Sequence, residues 1–358
     1  MRISYIVTGR YPTERAYGIQ INKTVDALRS LGAEVVVRSP ALSLQGILAL
    51  GPVGYWLRTI IFVKWLWLSG ALRGQDVLYT RDPLAARLLA LVSHKIFLEL
   101  HDIGRASSTR VAVRKVSGVF VISKGLALHV HSWDTGWAKI AVIPDAVDID
   151  KFSVPIEQAQ AREQFNLPTD KKIVLYAGLF DEWKGYKTLL EASKQFGSDT
   201  KLVMAGGREE QVAALSKEYP AVRFLGWTDY DKLPVLQKTA DVLVLPNSAR
   251  FEISRVYTSP LKLFAYMASG VPIVAADLPS IREVLDEDSA LFVVPDDPAA
   301  LASGITTLLA NPALGQRLAS KAFHRVQTCT WQKRARAILD FLQKHAHHNS
   351  NSNLQRGG

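Results

Sequence analysis

Two doubly wound α/β domains in tandem are what this sequence predicts, and three observations predict them. The chain has 358 residues, beyond the usual ~100–200 of a single domain and enough for two separate cores. Short β-rich runs alternate with helical stretches in two successive series, the order that gives parallel sheets covered on both faces. Between the series, over residues 143–167, Pro144, Pro155 and Pro168 bracket a polar, Gln- and Glu-rich stretch that reads as the boundary. The expected domains are 1–150 and 151–343, followed by a disordered tail over 344–358, where HAHHNSNSNLQRGG shows no apolar periodicity.

In the first series, residues 2–8 read as a strand, 19–31 as an amphipathic helix, and 34–39 and 76–80 as strands. Residues 83–92 then read as a helix and 96–100 as a strand. In the second, strands are expected over 172–177, 201–205, 222–225, 241–246, 271–275 and 291–294. Helices are expected over 185–196, 232–238, 260–269, 281–285 and 299–309, with more helix after Pro312. Ligands of doubly wound domains sit at the C-terminal ends of strands, so functional residues are sought in the turns that follow them.

Composition narrows the class. Hydrophobic residues make up 48% and charged ones 21%, which is ordinary for a globular protein. Cys329 is the only cysteine, so no internal disulfide can form, and the first residues run straight into a strand pattern without a signal-peptide core. A cytoplasmic location is expected. The net charge is +10, and residues 1–150 carry 18 Lys/Arg against 11 Asp/Glu, so +7 lies in the first half. Such an excess favours anionic partners: phosphorylated small molecules, an anionic membrane surface or nucleic acid.

Residues 47–72 are apolar except for Arg58, Lys64 and a few small polar residues, with three Trp and one Tyr between 55 and 67. Gly51-Pro52 and the two cations interrupt the run too much for a spanning helix. Two readings remain: a hydrophobic helix packed against a sheet, and an interfacial helix that makes the protein peripheral at the inner face of a membrane.

Residues 258–272 read TSPLKLFAYMASGVP. Ser259 suits an N-cap, Pro260 the first helical position, and Gly270 with Pro272 closes the helix. Open amides at Leu261 and Lys262 beside the Lys262 cation make an anion site. An equivalent place follows the strand at 172–177, where Gly178 permits close backbone approach and Lys184 precedes the next helix. Two lysines could share one diphosphate.

SPLKLFAYMASGVPIVA resembles the SPLKLFEYMA segment of glycosyltransferase family 4, and GLFDEWKGYKTLLEA is similar to that family's glycine–lysine region. KLVMAGG, VRFLGW, ADVLVLPN and IPDAVDIDKF resemble its other landmarks in order. The resemblance implies a GT-B architecture and retaining transfer of a hexose from a nucleotide diphosphate sugar to a glycan or lipid-linked acceptor, without metal or other cofactor. It implies that Gly178, Lys184, Ser259, Leu261 and Lys262 hold the donor diphosphate and that Gly226 and Trp227 lie at the base-binding strand end. It also implies an active-site role for His101, which ends the strand at 96–100. Gly18 stands in for the family's glycine loop, and Arg81 with Asp82 is expected on the acceptor side. A final helix around 331–342 is expected to cross back onto the first domain.

One departure stands out. Where the family commonly has a glutamate that contacts the donor ribose, this chain has Ala265, and where it has an earlier acidic residue this chain has Tyr257. Because the surrounding motif is kept so closely, Ala265 reads as a substitution within an otherwise active sequence. Donor binding is expected to be weakened roughly ten- to a hundredfold by the loss of charged hydrogen bonds. The competing reading is a non-catalytic nucleotide- or glycan-binding protein of the same fold. A nucleic-acid role is disfavoured, since the lysines sit at strand-end turns rather than among exposed aromatics. The pairs Asp148/Asp150 and Asp229/Asp231 have metal-like spacing but fall in the linker and in a capping turn, so no metal site is assigned.

Overall fold

A computed structural model describes residues 1–40, 51–104 and 106–354, with side chains to residue 345. The start of the apolar run, 47–50, and the end of the expected tail, 355–358, lie outside the described residues. The chain divides into two units, Met1–Pro144 with Trp331–Gly358, and Asp145–Thr330. The boundary falls after Pro144 rather than at 150, and the last helix belongs with the first unit.

The first unit holds six strands: β1 (Arg2–Ile6), β2 (Glu34–Arg38), β3 (Val77–Thr80), β4 (Ile96–Leu100), β5 (Gly118–Val121) and β6 (Ile140–Val142). They form one parallel sheet in the order β2-β1-β3-β4-β5-β6. β3 and β4 are buried along their whole length, as strands covered on both faces must be. Helices α1 (Ala16–Ser30), α2 (Gly51–Leu68) and α3 (Pro83–Leu89) follow β1, β2 and β3. Asp82 caps α3 by accepting from the amides of Leu84 (2.8 Å) and Ala85 (3.2 Å), with Pro83 at the first helical position.

The second unit holds β7 (Lys172–Ala177), β8 (Thr200–Ala205), β9 (Arg223–Gly226), β10 (Val242–Leu245), β11 (Ile273–Ala276) and β12 (Leu291–Val293). This sheet is also parallel and runs β12-β11-β10-β7-β8-β9. Its two faces carry separate cores. On β7, Ile173, Leu175 and Ala177 join the cluster under the helix Leu261–Ser269. Val174 and Tyr176 join the opposite cluster, with Leu189 and Ile305. The period of two between faces is that of a strand.

Four expectations are corrected. Ser259 does not cap the helix Leu261–Ser269: Pro260 takes the N-cap position, and no side chain caps that helix. The Ser259 hydroxyl instead accepts from the Asp145 amide at 3.3 Å, so a tertiary partner outcompetes the local cap. Gly18 lies inside α1 rather than in a loop before it. The final helix runs Trp331–Leu354, well into the expected tail. Strands β5 and β6 and the helices Ala106–Lys115 and Lys124–His131 occupy a stretch to which the sequence assigned no element.

Candidate functional site

The order of the second sheet reverses between β7 and β10, and such a switch point opens a crevice at the strand ends. Gly178 leaves β7, and a Cβ added there would lie 3.8 Å from Lys262 Cδ, which places the start of the 261–269 helix against the end of β7. Tyr266 of that helix fixes the contact, because its hydroxyl accepts from the Ala177 amide at 2.8 Å. Gly206, after β8, has φ +112°, and a Cβ on it would stand 2.1 Å from the Gly178 carbonyl oxygen. Three adjacent strands therefore end in glycine, at 178, 206 and 226, and Gly206 donates to the Gly226 carbonyl at 2.6 Å. Trp227 beside them is half exposed. Glycine at these strand ends lets neighbouring backbones approach closely, as at Gly206 against Gly178.

Lys262 is the unusual group. Its ammonium is buried and has no hydrogen-bond partner, lying 4.1 Å from the centre of the Tyr176 ring. Burial, and then repulsion from Lys184, holds its pKa well below the ordinary lysine value, with Asp181 opposing. Lys184 pairs with Asp181 at 2.8 Å. The sequence reading missed Asp181, the carboxylate that pairs with Lys184 and opposes the lowering at Lys262. Leaving a cation buried and unpaired costs stability unless a ligand supplies the anion. Ala265, one turn further on, is buried and offers no polar atom. Tyr257 closes a π-helical turn over Ile253–Tyr257, where burial and a hydrogen bond to Glu252 raise its pKa.

Gly185 locks Lys184 in place. It sits between the turn Glu182–Lys184 and the helix Tyr186–Ser193 with φ +70°, and a Cβ on it would fall 1.7 Å from the Pro246 carbonyl oxygen at the end of β10. Gly185→Ala combines positive-φ strain with a backbone collision, so it is expected to lower stability by about 3 kcal/mol. Urea unfolding checks this; an unchanged midpoint would show that the two loops do not touch.

The first unit has its own crevice of about 980 Å³ at the switch point between β1 and β3. Thr8, Gly9, Tyr17, Arg81, Asp82 and His101 are among its lining residues. Arg81 donates to the Tyr17 carbonyl at 3.4 Å. Gly18 does not line the crevice; it is the close neighbour of Thr13, whose carbonyl oxygen a Cβ at 18 would meet at 2.1 Å. Gly9, which the sequence reading passed over, takes the lining position. His101 Nε2 is 2.6 Å from Glu99 Oε1. Burial, then the Arg81 charge, lowers its pKa to about 4 against the pull of Glu99, so the imidazole is neutral near pH 7.

Asp148 caps the short helix Ile149–Phe152 and Asp231 pairs with Lys151. Among the described residues no group of three or more His, Cys, Asp or Glu is placed to hold a metal ion.

Two parallel six-stranded sheets of these orders make the chain a protein of GT-B type. Sucrose-phosphate synthase from Thermosynechococcus elongatus is similar over 96% of this chain and 98% of that one, with a TM-score of 0.81 and 22% identity. HepE from Anabaena, solved in complex with UDP and glucose, covers 96% and 100% with a TM-score of 0.76 and 17% identity. Residues 157–325 match the model of the glycosyl transferases group 1 family. The phosphatidyl-myo-inositol mannosyltransferase of Mycobacterium tuberculosis is 31% identical over 55% of this chain and 52% of its own. The D-inositol 3-phosphate glycosyltransferase of Xylanimonas cellulosilytica is 28% identical over 56% and 50%. The chain spans about half the length of the curated relatives it matches.

Proposed function

We propose that the chain transfers a hexose, with retention of anomeric configuration, from a nucleotide diphosphate sugar to a glycan or lipid-linked acceptor. The observation that carries this reading is the buried, unpartnered Lys262 ammonium beside Lys184 at the glycine-bearing ends of β7 and β8. A diphosphate supplies the missing anion, and Lys184 exchanges part of its Asp181 contact for a phosphate oxygen. Both lysines then stabilise the charge that grows on the leaving diphosphate as the glycosidic bond breaks. Gly178, Ser259 and Leu261 shape that pocket, and Gly226 and Trp227 flank the base; His101 lines the first unit's own crevice and is assigned a hydrogen bond to substrate there. Attack from the face of the leaving group, with the phosphate taking the acceptor proton, accounts for retention. Ala265 leaves the ribose without a carboxylate and makes donor binding weak. Calorimetry with UDP, GDP and ADP, followed by transfer assays with the corresponding sugars, tests the reading. Binding of one base with measurable transfer supports it, and binding without transfer to any acceptor favours the non-catalytic alternative.

A specific observation adds a membrane to this reading. In α2 the buried face carries Arg58 and Thr59 with Phe62, Val63 and Leu66, and it packs on α3. The opposite face, through Trp56, Leu57, Ile60, Ile61, Trp65 and Leu68, is exposed, with Leu68 64% accessible. The helix is thus apolar on both faces, with Arg58 turned inward and Lys64 outward. No Asp or Glu occurs from residue 35 to 75, while Arg38, Arg58, Lys64 and Arg73 do. Among the described residues no helix is long and apolar enough to cross a bilayer. An anionic membrane surface fits an apolar, tryptophan-bearing and acid-free face of this kind, and Trp56 and Pro52 also line the first-unit crevice, where a lipid-linked acceptor would be met. Cosedimentation with phosphatidylcholine vesicles is expected to rise when phosphatidylglycerol is added and to fall with salt. Trp65→Ser with Leu68→Ser should lower binding about tenfold or more; equal partitioning of the two proteins would refute the membrane contact.

A further inference from the structure

We propose that Arg334, on the final helix, is a positioning residue for His101: through Glu99 it fixes the imidazole with Nε2–H donated inward and Nδ1 left to accept a hydrogen bond from substrate. The inference rests on the role given to His101 above.

Arg334 is nearly fully buried, on the stripe of the final helix that also buries Trp331, Ala335, Ile338 and Leu342. Its guanidinium spends its donors on three separate elements. Nε donates to the Pro144 carbonyl at 3.1 Å, Nη1 to Thr24 Oγ1 of α1 at 3.0 Å, and Nη2 to Glu99 Oε1 at 2.6 Å. Glu99 is 1% exposed, and the same Oε1 that receives Arg334 also receives His101 Nε2 at 2.6 Å. Its other oxygen accepts from the Tyr79 hydroxyl. A fork held at three points leaves the carboxylate one position, and the carboxylate leaves the imidazole one orientation.

The tautomer follows. Although burial works against it, Arg334 leads the charges that hold the Glu99 carboxyl well below the usual range, so it is ionised and can only accept. The hydrogen between Glu99 and His101 therefore sits on Nε2, and Nδ1 keeps its lone pair, as a carboxylate-bound histidine does at metal sites. No described residue bonds to Nδ1, and the ring lines the first-unit crevice with 20% of its side chain exposed.

Arg334 also bears on the charge, after burial and Arg81. The groups that face this cluster are Glu99 on β4, Arg81 after β3, Arg334 on the final helix, and the neutral phenols of Tyr79 and Tyr5. Glu99 attracts a proton to His101, while Arg81 and Arg334 repel it. With Arg334 removed, Glu99 keeps one fewer permanent cation and takes its compensation from His101 by protonating it. An imidazolium has no lone pair at Nδ1 and cannot accept from a sugar hydroxyl.

The experiment compares full-length wild type with Arg334→Gln, Arg334→Lys and His101→Ala. It uses NMR titration of the His101 ring and pH profiles of kcat and kcat/KM. Arg334→Gln is expected to raise the His101 titration midpoint by at least one unit, move the acid limb of kcat/KM upward with it, and lower kcat about tenfold while donor KM changes little. Arg334→Lys keeps the charge but not the fork, so it should restore most of the midpoint and only part of kcat; it also decides the matter if the glutamine variant does not fold. If both variants titrate at the wild-type midpoint with merely reduced stability, Arg334 is a structural residue and the inference is wrong. If His101→Ala transfers as well as wild type, it is the role of His101 that fails, and the NMR midpoint still decides whether Arg334 controls the ring.

Discussion

Lys262→Met makes the ligand-free protein more stable and the enzyme slower. The two effects have one cause. The ammonium is buried and unpaired, so an apolar side chain of similar length removes a desolvation cost of about 1–3 kcal/mol. The same change removes the cation proposed to face the leaving diphosphate, for which a loss of about 10²–10³ in kcat/KM is expected. The pH dependence separates this from general repacking. Lys262 has a folded pKa below its unfolded one, so between those two values the unfolded chain binds more protons and stability rises with pH. Lys262→Met should flatten that alkaline rise. A variant that is less stable at every pH, or transfers as fast as wild type, would show that Lys262 is not held in reserve for a phosphate. Lys184→Ala, by contrast, removes a cation already paired with Asp181 and should bring no gain in stability.

Ala265→Glu is the complementary change, expected to tighten donor binding ten- to a hundredfold, about 1.5–3 kcal/mol of charged hydrogen bonding. Position 265 lies three residues beyond Lys262 and four beyond Leu261, on the same face of the Leu261–Ser269 helix. A carboxylate there would accept from two ribose hydroxyls. Because the site is buried, the same substitution should lower the stability of the ligand-free chain by about 1 kcal/mol. Calorimetry against a nucleoside diphosphate and against inorganic pyrophosphate separates the sources: the gain should appear with the nucleoside and not with pyrophosphate. A donor affinity left unchanged would mean that the ribose does not reach this helix face.

What the sequence disclosed, it disclosed through local signals. β7 and β10 read as strands because both faces are covered and their apolar runs are unbroken, and the Leu261–Ser269 helix because Gly270 can adopt φ +71° at its end. β5 and β6, of four and three residues, are too short for periodicity to mark. Ser259-Pro260 carries a local capping signal, yet the serine is drawn to Asp145, 114 positions away. Glu99 and Arg334 are 235 positions apart, and nothing local marks either as the other's partner. The two lysines were legible as cations near strand ends; that Lys262 lacks a partner is a property of packing, whereas the Asp181–Lys184 pair, three residues apart, is local.

Proton uptake on nucleoside diphosphate binding tests the central claim most directly. At about pH 9, above the phosphate ionisation near 6, calorimetry in buffers of different ionisation enthalpy should register protons drawn onto the protein. An anion seated against Lys262 raises its lowered pKa back towards the ordinary value. Uptake that disappears in Lys262→Met is the expected result. Tight binding with no uptake, equal in both proteins, would place the diphosphate somewhere other than the ends of β7 and β10.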